Sequence, residues 1–179
     1  MIFVDTGAWV ARFSRRDSDS PEADKIREGT IACIDAIFGT SAPDSVKRKL
    51  FDTACWIVSE RNGKWTTSYR SQASLKVEKN LLRHEHVIPR LTLWSLVTEK
   101  KMPVRDVLMM CEGCVVTKEE HERLHKVVDG HSWDRYVKAE VTVIDMSTKQ
   151  VVPLQTLMEM SEPFIKLVQD TGKIEGGIV

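Results

Sequence analysis

A short apolar run leads directly into a capped helix in this chain, and this step constrains the fold more than any other feature. Gly113 to Val116 is apolar and contains two adjacent valines, which predicts a buried strand. Thr117 follows as a helix N-cap, and Glu120 three residues later completes the pattern of a capping box. The sequence therefore predicts a strand that passes straight into a helix carrying His121 and His125.

Histidines cluster around this step. All five histidines lie between His84 and His131, and His121 and His125 are four residues apart. On a helix this spacing places both imidazoles on one face, about 5–6 Å apart at Cβ. Two such imidazoles can hold one divalent metal ion, and Glu85 or His84 could supply a third ligand.

The first histidine pair, His84 and His86, precedes a proline at position 89. A residue before proline avoids the helical region, so the sequence predicts a short extended segment over 86–89. If nearby residues bind the metal ion, His86 would remain free to act as a general base that takes a proton from a water molecule.

These two elements together resemble the His-Me finger (HNH-type) endonucleases over about 83–126. Glu85-His86-Val87-Ile88-Pro89 is similar to the first element of that family, in which an acidic or histidine residue and a histidine end a strand. Cys114 to His125 is similar to the second element, a strand followed by a metal-binding helix. A helical insert over 91–110 separates the two elements in this chain. The resemblance implies a ββα-like centre around 83–126.

The resemblance also implies an activity, which is metal-dependent hydrolysis of a nucleic-acid phosphodiester. In this interpretation His86 activates water, while Glu85, His121 and His125 ligate a divalent ion such as Mg, Mn, Ni or Zn. Basic residues near the motif are candidates for holding the phosphate; they are Arg83, Arg90 and Arg123.

The N-terminal dozen residues carry a second resemblance. Met1-Ile2-Phe3-Val4-Asp5-Thr6 looks like the first strand of PIN-domain ribonucleases, in which the acidic residue at the strand end, here Asp5, binds the catalytic metal. The family's other acidic positions find no clear counterpart here. We therefore expect a non-catalytic N-terminal strand, and a PIN-like ribonuclease that uses Asp5 is a further alternative.

The cysteines allow a different metal site. Cys111 and Cys114 have the spacing of half a zinc site, which histidines within 121–131 could complete. Cys33 and Cys55 lie in apolar stretches, and both are predicted to be small buried side chains.

Composition places the chain among ordinary globular proteins. It has 179 residues, a formal net charge of +0, 42% hydrophobic residues and 29% charged residues. No overall field draws it to nucleic acid or anionic lipid, so nucleic-acid binding would need a local basic patch. No leader or membrane span is evident, so we expect a cytoplasmic protein with free thiols and no membrane partner. The oligomeric state is left open.

The periodicity of apolar residues predicts the fold class: a mostly helical α+β single domain with a few short strands. We expect an N-terminal strand and loop appendage over 1–24, a helical domain over 25–171 and a loose tail over 172–179. The main predicted elements are helices over 26–38, 46–60, 71–82, 91–97, 103–110 and 153–168, and strands over 64–69 and 141–145.

An alternative from a different functional class is a non-catalytic protein that binds protein or nucleic acid. Its scaffold would be the same, and its histidines would be structural. His121 and His125 would then lie on a solvated helix face among charged neighbours.

Overall fold

A computed structural model describes residues 21–60, 63, 65–99 and 102–170. Within these ranges the chain is a mostly helical α+β protein with a few short strands, as predicted, and five strands form one mixed sheet. The predicted N-terminal strand, Asp5 and the predicted tail lie outside the described residues. The helices are α1 Pro21–Phe38, α2 Asp44–Ser59, α3 Arg90–Thr98, α4 Val104–Met109, α5 Lys118–His125, α6 Trp133–Lys138 and α7 Leu154–Asp170. The strands are β1 Tyr69–Ser71, β2 Leu82–His86, β3 Gly113–Thr117, β4 Val143–Asp145 and β5 Gln150–Val151.

The sheet has the strand order β2-β3-β1-β4-β5. Strand β3 pairs antiparallel with β2 and parallel with β1, so it lies inside the sheet. Its residues 114–116 have no exposed surface, in agreement with the predicted buried strand. In the β2–β3 register, Leu82 lies opposite Thr117 and His86 opposite Gly113.

Two hydrophobic clusters hold the elements together. The first lies among α1 to α4 and the end of α7, and Phe51, Leu93 and Phe164 are fully buried in it. The second packs α6 and α7 against the sheet around Trp133 and Tyr136. Burial of each such large apolar side chain contributes about 1.5–3 kcal/mol. The helices of the first cluster follow the predicted helical spacing, because on α2 the buried residues recur at positions 51, 54, 55 and 58.

The capping box predicted at the start of α5 is confirmed. The Thr117 hydroxyl accepts a hydrogen bond from the backbone N–H of Glu120 at 3.1 Å, and the Glu120 carboxylate accepts one from the N–H of Thr117 at 2.9 Å. The same buried carboxylate also accepts a hydrogen bond from the hydroxyl of Ser71 on β1. These contacts fix the direction in which α5 leaves the sheet, and with it the positions of His121 and His125.

The segment over 71–82 was predicted as one helix, and this prediction is wrong. It forms two 3-10 turns, Ala73–Lys76 and Lys79–Leu81, and then enters β2 at Leu82. The hydroxyl of Ser71 accepts from the N–H of Ser74, and such side-chain bonds to the local backbone compete with a continuous helix. Pairing with β3 then extends the chain beyond the second turn.

Two smaller predictions also change. The strand predicted over 64–69 begins at Tyr69 instead, and Trp65 has a left-handed backbone with φ of 76°. Cys33 is exposed, because α1 buries Ile31 and Ile34 and turns Cys33 away from them. Helix α1 begins at Pro21, within the segment predicted as the N-terminal appendage. Among the described helices, none has the length and apolar character needed to cross a membrane.

Candidate metal centre

Strands β2 and β3 and helix α5 form a ββα unit that builds the candidate site. The two strands pair antiparallel over five residues each, and α5 follows β3 without a loop. Helix α5 packs on both strands, which brings its exposed face next to the end of β2. A carboxylate from β2 and two imidazoles from α5 meet there.

Glu85, His121 and His125 present ligand atoms that all lie within 4.8 Å of one another. Nδ1 of His121 is 2.7 Å from Oε2 of Glu85, and Nε2 of His125 is 3.8 Å from the same oxygen. The two imidazole rings meet edge to face with centroids 4.3 Å apart. In the part of the chain that the structure describes, this is the one group of three or more such side chains that could hold a metal ion.

A buried arginine holds the other oxygen of Glu85. Nη2 of Arg135, on α6, lies 3.0 Å from Oε1 of Glu85, and Nη1 donates to the carbonyl oxygen of Val87 at 3.4 Å. The side chains of Arg135 and Glu85 are only 1% and 8% exposed. Burial acts to raise the pKa of Glu85, but the hydrogen bond to His121 and the charge of Arg135 outweigh it, so the pKa lies below its usual value. Glu85 is therefore an anion at neutral pH.

The neighbours of Glu85 on β2 face the opposite side of the strand. His84 and His86 pack against the indole of Trp56 on α2, with ring centroids 4.6 and 4.9 Å from it. Nε2 of His84 lies 3.0 Å and Nε2 of His86 lies 3.4 Å from the hydroxyl of Ser59. Alternation along the strand thus separates Glu85 from the two histidines beside it.

Burial keeps the β2 histidines neutral at physiological pH. It lowers the pKa of His84 to about 4. Burial, together with the charges of His84 and Arg90, lowers the pKa of His86 to about 3. Burial also lowers the pKa of His125. Neutral imidazoles can accept a proton or bind a metal, whereas protonated ones can do neither.

Glu85, His121 and His125 line one open cleft of about 880 Å³, together with His84, His86 and Trp56. Arg83 and Arg90, both predicted to hold phosphate, line it as well, and so do Arg48 and Lys79, which the sequence did not single out. The guanidinium of Arg90 lies over the ring of Trp56, 5.4 Å from its centroid. The lining therefore combines four basic side chains with one carboxylate, Glu85, which is already paired with Arg135. Two of the basic side chains, Arg48 and Arg90, are themselves paired with Asp52, at 3.0 and 3.6 Å.

The remaining predicted site residues lie elsewhere. Arg123 is on the exposed face of α5 and lines a second groove, together with Lys118 and Glu122. Cys111 and Cys114 are buried in different hydrophobic clusters. Neither cysteine belongs to the metal-capable group found among the described residues.

Sequence reasoning did not find Arg135, Trp56 or Ser59. Arg135 lies between Trp133 and Tyr136 on α6, and a basic residue between two aromatic residues gives no hint that it is buried. Trp56 and Ser59 lie on α2, more than twenty residues before the motif. The roles of these three residues depend on contacts with residues that are far away in the sequence.

No protein-family model matches the sequence, and comparisons with curated proteins and with solved structures also find no match.

Proposed function

We propose that this protein is a metal-dependent phosphodiesterase that cleaves nucleic acid with a centre of the His-Me finger (HNH) kind. The observation that carries the proposal is the convergence of Glu85, His121 and His125 on a ββα unit, with His86 in the same cleft. In this arrangement the candidate metal ligand Glu85 and the candidate base His86 are adjacent residues of β2.

The donor set fits a divalent transition metal. Two imidazoles and one carboxylate form the ligand set of many catalytic zinc sites, and imidazole suits Zn and Ni better than Mg. Ligands about 2.1 Å from a common ion are about 3.0–3.4 Å apart, from geometry at these bond lengths. The distances from Glu85 Oε2 to the imidazole nitrogens, 2.7 and 3.8 Å, lie just below and just above this range, so binding of an ion requires each side chain to move by a few tenths of an ångström. Nδ1 of His121 would bind the ion in place of its hydrogen bond with Glu85.

The cleft fits a polyanionic substrate. Four basic side chains line it in a protein whose formal net charge is +0, so the positive charge is local. Arg83 and Arg90 can bind phosphate oxygens, and the half-buried indole of Trp56 provides an aromatic surface beside them. A phosphodiester of RNA or DNA has the charge and size for such a cleft.

In the proposed reaction, water attacks phosphorus and forms a new bond from phosphorus to oxygen, the bond from phosphorus to the leaving oxygen breaks, and that oxygen takes a proton from solvent. A bound metal ion would supply Lewis-acid stabilisation of the phosphate and the leaving oxygen. His86 lines the same cleft and accepts the proton of the attacking water. Arg83 and Arg90 hold the phosphate in place.

The test measures metal content and cleavage on the same preparations. Elemental mass spectrometry of protein purified without chelator is expected to give about one zinc, nickel or manganese per chain, and His121→Ala/His125→Ala is expected to lose it. Cleavage of labelled single- and double-stranded DNA and RNA is then assayed with each metal added. His86→Ala should abolish cleavage while retaining the metal, and chelator should abolish it in the wild type. Cleavage that survives His86→Ala would contradict the assignment of the base.

A structural role for the same residues is the competing outcome. Glu85 already has partners for both oxygens in Arg135 and His121, so the cluster is electrostatically satisfied as it stands. Wild-type protein that binds no metal and cleaves none of these substrates would favour a non-catalytic binding protein.

A further inference from the structure

Ser59 carries a hydroxyl that three buried groups share. Its Oγ lies 3.0 Å from Nε2 of His84, 3.4 Å from Nε2 of His86 and 3.2 Å from the carbonyl oxygen of Trp56. Ser59 is 1% exposed, and His84 and His86 are 8% and 6% exposed. Water cannot easily replace any of these contacts, so the one hydroxyl serves all three neighbours.

The chemistry of a hydroxyl links the two imidazoles. It has one hydrogen to donate and two lone pairs to accept with. If it donates to the carbonyl of Trp56, both histidines must donate to it from Nε2. If it donates to one histidine, the other must donate to it. In either arrangement one oxygen atom ties the tautomer of His86 to that of His84.

A second contact restrains the same ring. The indole of Trp56, less than one turn before Ser59 on α2, packs edge to face on the imidazole of His86, with ring centroids 4.9 Å apart. A single hydrogen bond lets an imidazole swing about its side-chain torsions, whereas two contacts from one rigid helix hold it in one orientation.

We propose that Ser59 is a positioning residue for His86, and that it fixes the orientation and tautomer in which this histidine meets the attacking water. The inference rests on the proposed function for its catalytic consequence. It assigns to α2, which lies outside the ββα unit, a direct part in assembling the site. Ser59 itself does not contact the substrate, because it is buried behind the two histidines.

The first test separates kcat from KM. Ser59→Ala is expected to lower kcat about 10- to 100-fold, a part of what a general base contributes. KM and metal content should stay unchanged, because Arg83, Arg90 and the three ligands are untouched. Ser59→Thr, which keeps a hydroxyl, should recover most of the rate. Ser74→Ala is the matched control, since Ser74 is also 1% exposed, and its hydroxyl is hydrogen-bonded to Ser71 and Arg70 rather than to a histidine.

The second test does not depend on activity. Long-range ¹H–¹⁵N NMR spectra of the histidine side chains report the tautomer of each ring, and comparison with His86→Gln assigns the His86 signals. Wild type is expected to show one neutral tautomer for His86, and Ser59→Ala a mixture. Circular dichroism checks that each variant folds. If Ser59→Ala does not fold, Ser59→Cys replaces it, because cysteine is similar in size to serine but forms only weak hydrogen bonds.

The outcomes distinguish the two proposals. An active wild type with full kcat in Ser59→Ala overturns the role of Ser59 and leaves the nuclease intact. A wild type that cleaves nothing overturns the proposed function and the catalytic consequence for Ser59. In that case an unchanged His86 tautomer in Ser59→Ala also overturns the positioning contact, and a changed one supports it.

Discussion

Arg135 donates a hydrogen bond to Oε1 of Glu85, and this leaves Oε2 as the carboxylate oxygen that faces His121 and His125. The arginine thus fixes the orientation of the carboxylate, so that the oxygen it does not contact faces the two imidazoles. The pair also explains how an anion is tolerated where its side chain is 8% exposed.

Substitution of Arg135 should be the most damaging single change at the site. Arg135→Met leaves Glu85 buried without its cation, so we expect the free energy of unfolding to fall by about 3–5 kcal/mol. Urea denaturation followed by circular dichroism measures this. Lys138→Ala removes an exposed cation from the same helix and should cost less than about 1 kcal/mol. Equal losses in the free energy of unfolding for the two variants would show that the buried Arg135–Glu85 pair contributes no more to stability than the exposed Lys138 does.

Gly113 makes room for His84 across the β2–β3 pair. A Cβ at position 113 would lie 2.7 Å from Nε2 of His84 and 2.9 Å from Cγ2 of Thr67. Gly113→Ala should therefore displace His84 and destabilise the protein by about 1–3 kcal/mol. Gly29→Ala is the control, because nothing lies within 4 Å of that position on α1, and it should stabilise by up to about 1 kcal/mol. Thermal denaturation of both variants checks the sign of each effect.

Stability should fall as the pH drops below neutral. The pKa values of His84 and His86, about 4 and about 3, lie below the ordinary value of 6.5, so the unfolded chain takes up protons that the folded chain does not. The free energy of unfolding is expected to decrease between pH 6.5 and 4, by at most about 1.4 kcal/mol per pH unit for each histidine. The lowered pKa of Glu85 adds a further loss at lower pH, where that carboxylate becomes protonated.

Urea denaturation at several pH values measures this dependence. His84→Gln and His86→Gln should each reduce the slope between pH 6.5 and 4, and the double variant should nearly remove it. A double variant with the wild-type slope would mean that other groups cause the loss.

Metal binding should be visible as stabilisation. At a free zinc or manganese concentration about 100 times Kd, the folded state gains about 2.7 kcal/mol, which raises Tm. His125 is 51% exposed, so His125→Ala should change the metal-free stability by less than about 0.5 kcal/mol. The same substitution should largely remove the metal-dependent rise in Tm. A rise that is unchanged in His125→Ala would place the ion elsewhere.

Arg90 lines the cleft and Arg123 lines the second groove, so substituting each one tests which of the two binds nucleic acid. Arg90→Ala should weaken binding of a fluorescein-labelled oligonucleotide and reduce the slope of log Kd against log salt by about 0.7–0.9 for one lost phosphate contact. Arg123→Ala should leave both quantities unchanged, because Arg123 lies in the other groove. Fluorescence anisotropy at several salt concentrations measures both. The reverse result would move the nucleic-acid surface to the outer face of α5.

Local patterns in the sequence were sufficient for the elements whose signals are short-range. The capping box of Thr117 and Glu120 and the buried strand before it were predicted as observed, because each depends on residues within one turn or one strand. The i, i+4 spacing likewise placed His121 and His125 side by side. The segment over 71–82 was predicted wrongly, since its conformation depends on hydrogen bonds to Ser71 and on pairing with β3.

The sequence by itself thus determined the mostly helical α+β class, the strand-to-helix step and the proximity of His121 to His125. Only the tertiary structure decided that Arg135 holds Glu85, that Ser59 bridges His84 and His86, and that Arg90 but not Arg123 lines the cleft. Helical and strand periodicity fix which residues share a face of one element. Which faces meet depends on how elements distant in sequence pack together. That packing also determines the partners of a buried charge or imidazole.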